Sequence, residues 1–549
     1  MPPILTCDHR YPDHRRFLIL AGAIATILML SFFSQLPTIA DWSQFAFWDP
    51  GTTLKGDLLL SLGMKPGIDF GYTHGLASLE IARWGFALLG RTPAAFLIMT
   101  AVMEILMAIA LARLAVALRL SREGIIFLLI ALPIAIMPRY VTLTHPLEAL
   151  LLLWALSQQA SGLRPQALAI CTACLFVKPS MAYLYGLILL IWTIRELLLS
   201  REQIFARLVS QTWLAILTAL LMAAALAWRF GVHSLLLTVF PTTGVRTYQA
   251  FSFGFLSSGL LQFLFPDYHP WFYYLVTPAG IWIIMSLICA VGMLVAVVLL
   301  LRRRKISAII DPIGTWSQSD HRVETILSIG VMHLIFILGF YGWKDAWQYY
   351  SYLPVLFTAV FISNLGFFSL RVYLSASNIQ PRVETRGLSA GFPPRAILTG
   401  RRLRFAAALS FLALASQTSN IQAAWNGWST KVRTQQTGYL WADKDQLAQW
   451  NKILAKIDNK PTLSFTFGYL PWMPPGMSMP LGWYPVEGLG TPLEIARLQS
   501  EILNSQYVII WNAFRPHDPW DNSEFAKIRG KFTLVLKTQD FSLWHQSNE

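Results

Sequence analysis

Long apolar runs alternate with short basic segments along the chain, and their lengths set the first expectation. A helix rising 1.5 Å per residue needs ~20 apolar residues to cross a ~30 Å hydrocarbon core. The first such run, Phe17 to Leu36, follows Arg10, Arg15 and Arg16. Further candidate spans lie at 94–118, 124–138, 147–162, 165–179, 181–199, 209–229, 272–301, 325–342, 347–370 and 404–420. The pattern predicts a mainly α protein, a polytopic transmembrane bundle of about eleven spans. Residues 1–16 form the cytoplasmic N-terminus and 17–420 the membrane domain. A signal peptide ending at Thr38-Ile39-Ala40 is the rival reading of the first run, but the run is longer than the ~7 to 15 residues of an h-region. Both readings put Asp41 outside.

The basic residues sort by side. Arg119, Arg122, Arg164, Arg195, Arg201, Arg207, the cluster Arg302 to Lys305 and the stretch Arg371 to Arg404 fall on loops that the positive-inside bias assigns to the cytoplasm. Four segments remain outside: a first loop over 37–93, a stretch over 230–271, a turn near 341–348, and the tail. In the first loop, Thr52 to Leu62 and Leu76 to Leu89 are apolar enough to lie as helices along the interface.

The tail, 421–549, changes pattern and predicts a small extracytoplasmic α/β domain. Asp443 reads as an N-cap before a stripe of Leu447, Trp450, Leu454 and Ile457, and Thr491-Pro492-Leu493-Glu494 as a capping box with Pro at the first helical position. Strands are expected at Thr462 to Tyr469, Tyr507 to Trp511, Phe532 to Lys537 and Phe541 to Trp544, with a long loop over Pro471 to Gly490. The tail aromatics Trp472, Trp483, Tyr484 and Trp511 read first as core, with stacking on an acceptor sugar as the alternative.

Composition agrees with a lipid solvent. Of the 549 residues 55% are hydrophobic and 13% charged, about half the ~25% of soluble domains. The net charge of +14 sits in topology signals, which sets nucleic acid aside. Four cysteines offer no disulfide framework, and Cys171-x-x-Cys174 stands without a second pair or a nearby His, so it reads as packing. The absence of an N-x-[ST] sequon disfavours an endoplasmic reticulum lumen; with the rest it points to a bacterial plasma membrane and the cell envelope.

The first loop reads WDPGTTLKGDLLLSLGMKPGIDFGYTHGL over Trp48 to Leu76. This resembles the first outer loop of GT-C glycosyltransferases, including the membrane mannosyltransferase type. Their loops carry Asp or Asp-Glu at the start of an interfacial helix, then G-x-x-P-x-x-D-F, then a Gly/Pro-Leu element. Gly63, Pro66, Asp69, Phe70, Gly75 and Leu76 match that spacing. Lys178-Pro179, Lys344-Asp345 and the tail extend the likeness more loosely. Pro50 stands where some members have a second acid, and His74-Gly75 replaces the usual Gly-Pro or Pro-Pro.

The resemblance implies an enzyme that moves a sugar from a polyprenyl-phosphate carrier to an acceptor hydroxyl of a lipid, glycan or protein, with inversion. Such chemistry needs a carboxylate base, cations for the leaving phosphate and a groove for the carrier. Asp49 is the implied base, with a helix cap as its plain alternative, and Asp69 is the second acid, with a turn residue as its alternative. Arg246, Lys178 and Lys344 are candidates for the phosphate, with Arg139 and His145 behind them. Lys178 also reads as a snorkelling residue at a span end, and Lys344 as a partner of Asp345. His74, Tyr72 and Asp345 are candidates for positioning acceptor or donor, though His74 reads first as a plain interfacial residue. Asp57 reads as solvent-facing. Mg²⁺ or Mn²⁺ could bridge Asp49 or Asp69 to the phosphate, a question the residues leave open.

Two other classes compete. Glu104 and Glu148 lie within predicted spans, where acids are functional candidates, and a transporter or lipid flippase would use them. No inverted repeat with paired broken helices supports that reading. The third is an assembly protein whose tail binds a partner.

Overall fold

A computed structural model of the chain describes residues 14–47, 49–72, 74–135, 143–200, 204–240, 281–296, 321–339, 350–363, 394–465, 468–482, 490–512, 520 and 523–547. Helices α1 (His14–Ser34), α2 (Leu36–Ile39), α3 (Trp42–Phe47), α4 (Asp49–Ser61) and α5 (Leu76–Leu89) lead into α6 (Pro93–Ala117) and α7 (Arg122–Ala135). Then come α8 (Thr144–Ala160), α9 (Arg164–Leu175), α10 (Pro179–Ser200), α11 (Ile204–Phe230) and α12 (Val232–Val239). Two apolar helices, α13 (Ile281–Ala296) and α15 (Tyr352–Ser363), flank α14 (His321–Gly339), and α16 (Pro394–Thr430) closes the helical part. Each predicted span overlaps one of these helices among the described residues. Among the described residues four are long and apolar enough to cross a membrane unaided: α1, α6, α10 through Leu198, and α11.

Burial shows where lipid replaces protein. Helix α11 buries only Leu226 and Phe230 while Phe205, Leu220 and Trp228 face outward, an apolar surface too large for a water-soluble monomer. By contrast α6 buries Met107, Leu111 and Leu114 in a core shared with α1, α8 and α10. The chain is an integral membrane protein.

Three helices depart from the sequence expectation. The predicted span 165–179 resolves into α9 and a turn at Phe176 to Lys178, because Pro179 starts α10 and cannot continue α9. Helix α16 extends past 420 to Thr430, so the tail sheet begins at Lys431. On α4, Asp57 is buried rather than solvent-facing, because Arg91 donates to its Oδ2 at 2.5 Å.

The tail folds as β1 (Lys431–Arg433), β2 (Trp441–Asp443), α17 (Lys444–Ile457), β3 (Thr462–Phe465), β4 (Met477–Ser478), α18 (Pro492–Leu503), β5 (Tyr507–Trp511), α19 (Ser523–Arg529), β6 (Phe532–Lys537) and β7 (Phe541–Gln546). Asp443 caps α17 by accepting from the Asp445 amide, and the Thr491/Glu494 box starts α18. The larger sheet runs β4-β3-β5-β7-β6, parallel from β4 to β5 and antiparallel beyond. Strand β4 lies inside the stretch expected to be loop, paired to β3 at Thr462 and Leu463.

This tail is joined to the first loop by main-chain bonds. The Trp441 amide donates to Ala40 O at 3.0 Å, Gly468 to Ala46 O at 3.0 Å and Tyr469 to Phe45 O at 2.7 Å. Trp42 packs on Trp450 and Phe541, Phe47 stacks on Trp511 with centroids 4.7 Å apart, and Lys431 pairs with Asp41. Trp511 is thus a core residue.

Candidate functional site

The site is assembled where the first loop crosses the start of α8. A Cβ on Gly75 would lie 2.1 Å from Phe176 O, so only glycine admits this approach. The contact is fixed by Gly75 N donating to Val177 O and Ala77 N to Phe176 O, both at 2.9 Å. It brings His74 alongside the 176–178 turn and the first turn of α8. Gly51 makes a similar crossing: its Cβ would lie 1.7 Å from Phe45 O and 2.6 Å from Tyr469 N, locking the first turn of α4 against α3 and the tail.

One wall of the site is a buried charge network. Lys178 is 7% exposed. Its Nζ stands 3.0 Å from His145 Nδ1, donates to Tyr350 Oη at 3.0 Å and pairs with Glu148 Oε2 at 3.5 Å. Tyr350 in turn donates to Glu148 Oε2 at 2.8 Å. A lone buried cation would be costly, and this one is matched by a carboxylate and held by three partners. Lys178 is therefore not snorkelling.

The other walls are hydroxyls and neutral rings. Thr52, Thr53, Tyr72, His74, Ser78, Leu79, Leu143 and Thr144 line a small cleft. Thr144 donates to Ser78 Oγ at 3.1 Å, and Tyr72 Oη lies 3.1 Å from the same atom. The His74 ring meets those of His145 and Tyr72 edge-on, each at 5.8 Å. Burial, helped by the Lys178 cation, pushes His74 down to about 3, so it is a neutral imidazole at working pH. Burial pushes the Tyr72 phenol up to about 12, against hydrogen bonds with Ser78 and Thr144. The cleft thus offers neutral hydrogen-bonding groups beside the Lys178–Glu148 ion pair.

The sequence candidates fall differently around it. Lys178, His74, Tyr72 and His145 come together. Asp49 begins α4, one turn before the cleft-lining Thr52 and Thr53; its side chain lies outside the described residues. Asp69 sits apart, in the turn Pro66 to Phe70, where Oδ2 accepts from its own loop's Lys65 amide at 2.6 Å. Arg139, Arg246, Lys344 and Asp345 lie outside the described residues. Glu104 is buried in α6, its Oε2 without a hydrogen-bond partner among the described residues, and Glu148 belongs to the Lys178 network. Among the described residues no three His, Cys, Asp or Glu side chains are arranged to hold a metal ion. Of the two acids proposed to bridge Mg²⁺ or Mn²⁺, Asp69 uses its Oδ2 to accept from the Lys65 amide.

Sequence reading missed Tyr350, Ser78, Thr144, Thr52 and Thr53. One signal was present: His145 and Glu148 stand three apart at a helix start, a spacing that puts both on one face.

No protein-family model matches the chain, and no curated protein matches it in sequence. Solved structures do. The crystal structure of ArnT from Cupriavidus metallidurans bound to undecaprenyl phosphate aligns over 96% of this chain and 97% of that one, with a TM-score of 0.50 and 11% identity. The apo form of ArnT aligns over 97% and 98%, with a TM-score of 0.44 and 13% identity. The archaeal oligosaccharyltransferase AglB from Archaeoglobus fulgidus, in complex with an inhibitory peptide and a dolichol-phosphate, aligns over 88% of this chain and 69% of that one, with a TM-score of 0.41 and 11% identity. The near end-to-end match to undecaprenyl phosphate-bound ArnT shows that the chain shares the fold of that structure, as the first-loop resemblance led us to expect.

Proposed function

We propose that the chain is a membrane glycosyltransferase that moves a sugar from a polyprenyl-phosphate donor to an acceptor hydroxyl at the outer face of a plasma membrane. Residues 1–16 are then cytoplasmic, and the first loop and the tail extracytoplasmic. The reading is supported by the ArnT-like fold and by a cleft in which Thr52 and Thr53 of α4 face His74, whose ring meets that of His145, the partner of Lys178.

In the proposed step Asp49 takes the proton of the acceptor hydroxyl as its oxygen attacks the anomeric carbon. The bond from that carbon to the phosphate oxygen breaks on the opposite face, the configuration inverts, and polyprenyl phosphate leaves with the electron pair. Lys178 acts through its field and by fixing His145, since its ammonium already serves His145, Tyr350 and Glu148. Arg246 and Lys344 are the proposed direct partners of the phosphate. Neutral His74 and Tyr72 position sugar hydroxyls by hydrogen bonds, and Asp345 supports Lys344. Asp69 shapes the loop.

A transporter or lipid flippase is the second reading, favoured by Glu104, a buried acid whose Oε2 has no partner among the described residues. Purified protein given polyprenyl-phosphate sugars separates the two. The transferase reading expects sugar transfer or slow donor hydrolysis; uphill accumulation in vesicles without either would favour transport.

A further inference from the structure

The tail contributes a second buried carboxylate to the first loop, outside the cleft. Glu494, at the third position of α18, is 0% exposed. Its Oε2 accepts from the Gly71 amide at 2.6 Å and from the Thr491 amide at 3.2 Å. The pocket around it is close: a Cβ on Gly482 would lie 2.9 Å from Oε1. A capping box alone needs neither the burial nor a bond to a segment 423 residues away.

Two further side chains on α18 extend this contact, Arg497 to the first loop and Glu501 within the tail. Arg497 donates to Asp69 O at 3.2 Å and to Leu481 O at 3.4 Å. Glu501 accepts from the Leu481 amide at 3.0 Å. Opposite them is Lys55 on α4, 1% exposed, in the field of both Glu494 and Glu501. Burial pushes Lys55 down to about 8 against that field, so the ammonium persists at neutral pH because the tail supplies its counter-charge. Glu501 is pushed upward by burial and held back by the Leu481 amide, Lys55 and Arg497.

These contacts lie close in sequence to residues of the cleft. Gly71 precedes Tyr72 and lies three residues before His74, and Lys55 lies less than two helical turns after Asp49. We propose that Glu494 is a positioning residue for the candidate site: through Gly71 it sets His74 and Tyr72, and through Lys55 it sets the helix that begins with Asp49. The inference rests on the glycosyltransferase reading for its kinetic consequence, but not for the clamp itself. It makes the tail part of the site rather than a detachable acceptor-docking module.

The test compares full-length Glu494→Gln with wild type, and with Lys55→Met and the double variant Glu494→Gln/Lys55→Met. The first readout is amide hydrogen exchange over residues 64–78. The clamp predicts faster exchange there in Glu494→Gln while β5 and β7 keep their protection. The second is single-turnover transfer, expected to slow about 10- to 100-fold per folded molecule with donor affinity changed less than about threefold, as misplacement of a reacting group does. The double variant, with neither charge left uncompensated, should lose less than the product of the two single losses. Unchanged exchange over 64–78, or equal loss of protection across the whole tail, would overturn the clamp. Altered loop exchange with an unchanged rate would overturn the positioning role. If wild type transfers no sugar from any donor, the functional reading fails while hydrogen exchange still decides the clamp.

Discussion

Two ion clusters, one buried and one half-exposed, sit near the two ends of α8, about 25 Å apart along the helix axis, and their differences separate a site from a staple. At the far end Arg164 reaches Glu196 and donates to Glu324 at 2.6 Å, while Arg195 holds the second Glu324 oxygen at 3.3 Å. These are rigid guanidinium forks on carboxylates, tying α9, α10 and α14 together. At the first-loop end the cation is a lysine, its partners include an imidazole and a phenol, and hydroxyl groups line a cleft beside it. A rotatable ammonium with one carboxylate and several neutral hydrogen-bonding partners can adjust to a ligand in a way that a fork on two acids cannot.

Lys178→Met gives the largest separation within this comparison. It leaves Glu148 buried without its cation, so stability should fall by about 3 to 5 kcal/mol, and turnover of the folded fraction should drop at least about 100-fold. Thermal unfolding in detergent and an active-fraction assay would measure the two effects. Arg164→Met should cost a similar ~3 to 5 kcal/mol yet leave turnover per folded molecule within about threefold. Equal catalytic losses in both variants would erase the distinction.

Smaller changes sharpen it. Gly75→Ala forces a Cβ against Phe176 O and should destabilise by about 1 to 3 kcal/mol while slowing turnover, because the displaced segment carries His74. The weakest expected effect is on pH dependence. The folded chain holds His74 at about 3, below its ordinary value of 6.5, so the unfolded chain binds the proton first. The stability tied to neutral His74 is complete above pH 6.5 and declines as pH falls from there toward 3. His74→Gln should make that decline shallower, by a few °C at most in unfolding midpoint between pH 7 and 5. An unchanged slope would mean that His74 is not held neutral by its surroundings.

Local rules made much of the fold legible. Apolar run length located the helices, and Asp443, Thr491 and Glu494 announced their caps because a cap is read within four residues. The first-loop motif marked the segment that carries His74 and Asp49. What escaped depended on partners far along the chain. Asp57 looked solvent-facing because Arg91 is not its helical neighbour, and Lys55 gave no sign of burial because Glu494 and Glu501 lie in the tail. Lys178 read equally as a snorkelling end, since Tyr350 is 172 residues away. The tail was legible as a unit but not as a partner, because its bonds to Ala40, Phe45 and Ala46 are main-chain contacts that no side-chain pattern encodes.

The most direct measurement is single-turnover sugar transfer from a polyprenyl-phosphate donor by Asp49→Asn set beside Asp69→Asn. With Asp49 as the base and Asp69 as a turn cap, Asp49→Asn should lose about 10²- to 10⁴-fold with donor binding retained, and Asp69→Asn less than about tenfold, an effect of loop geometry alone. The reverse order, or full activity in Asp49→Asn, would contradict a reaction centred on the start of α4.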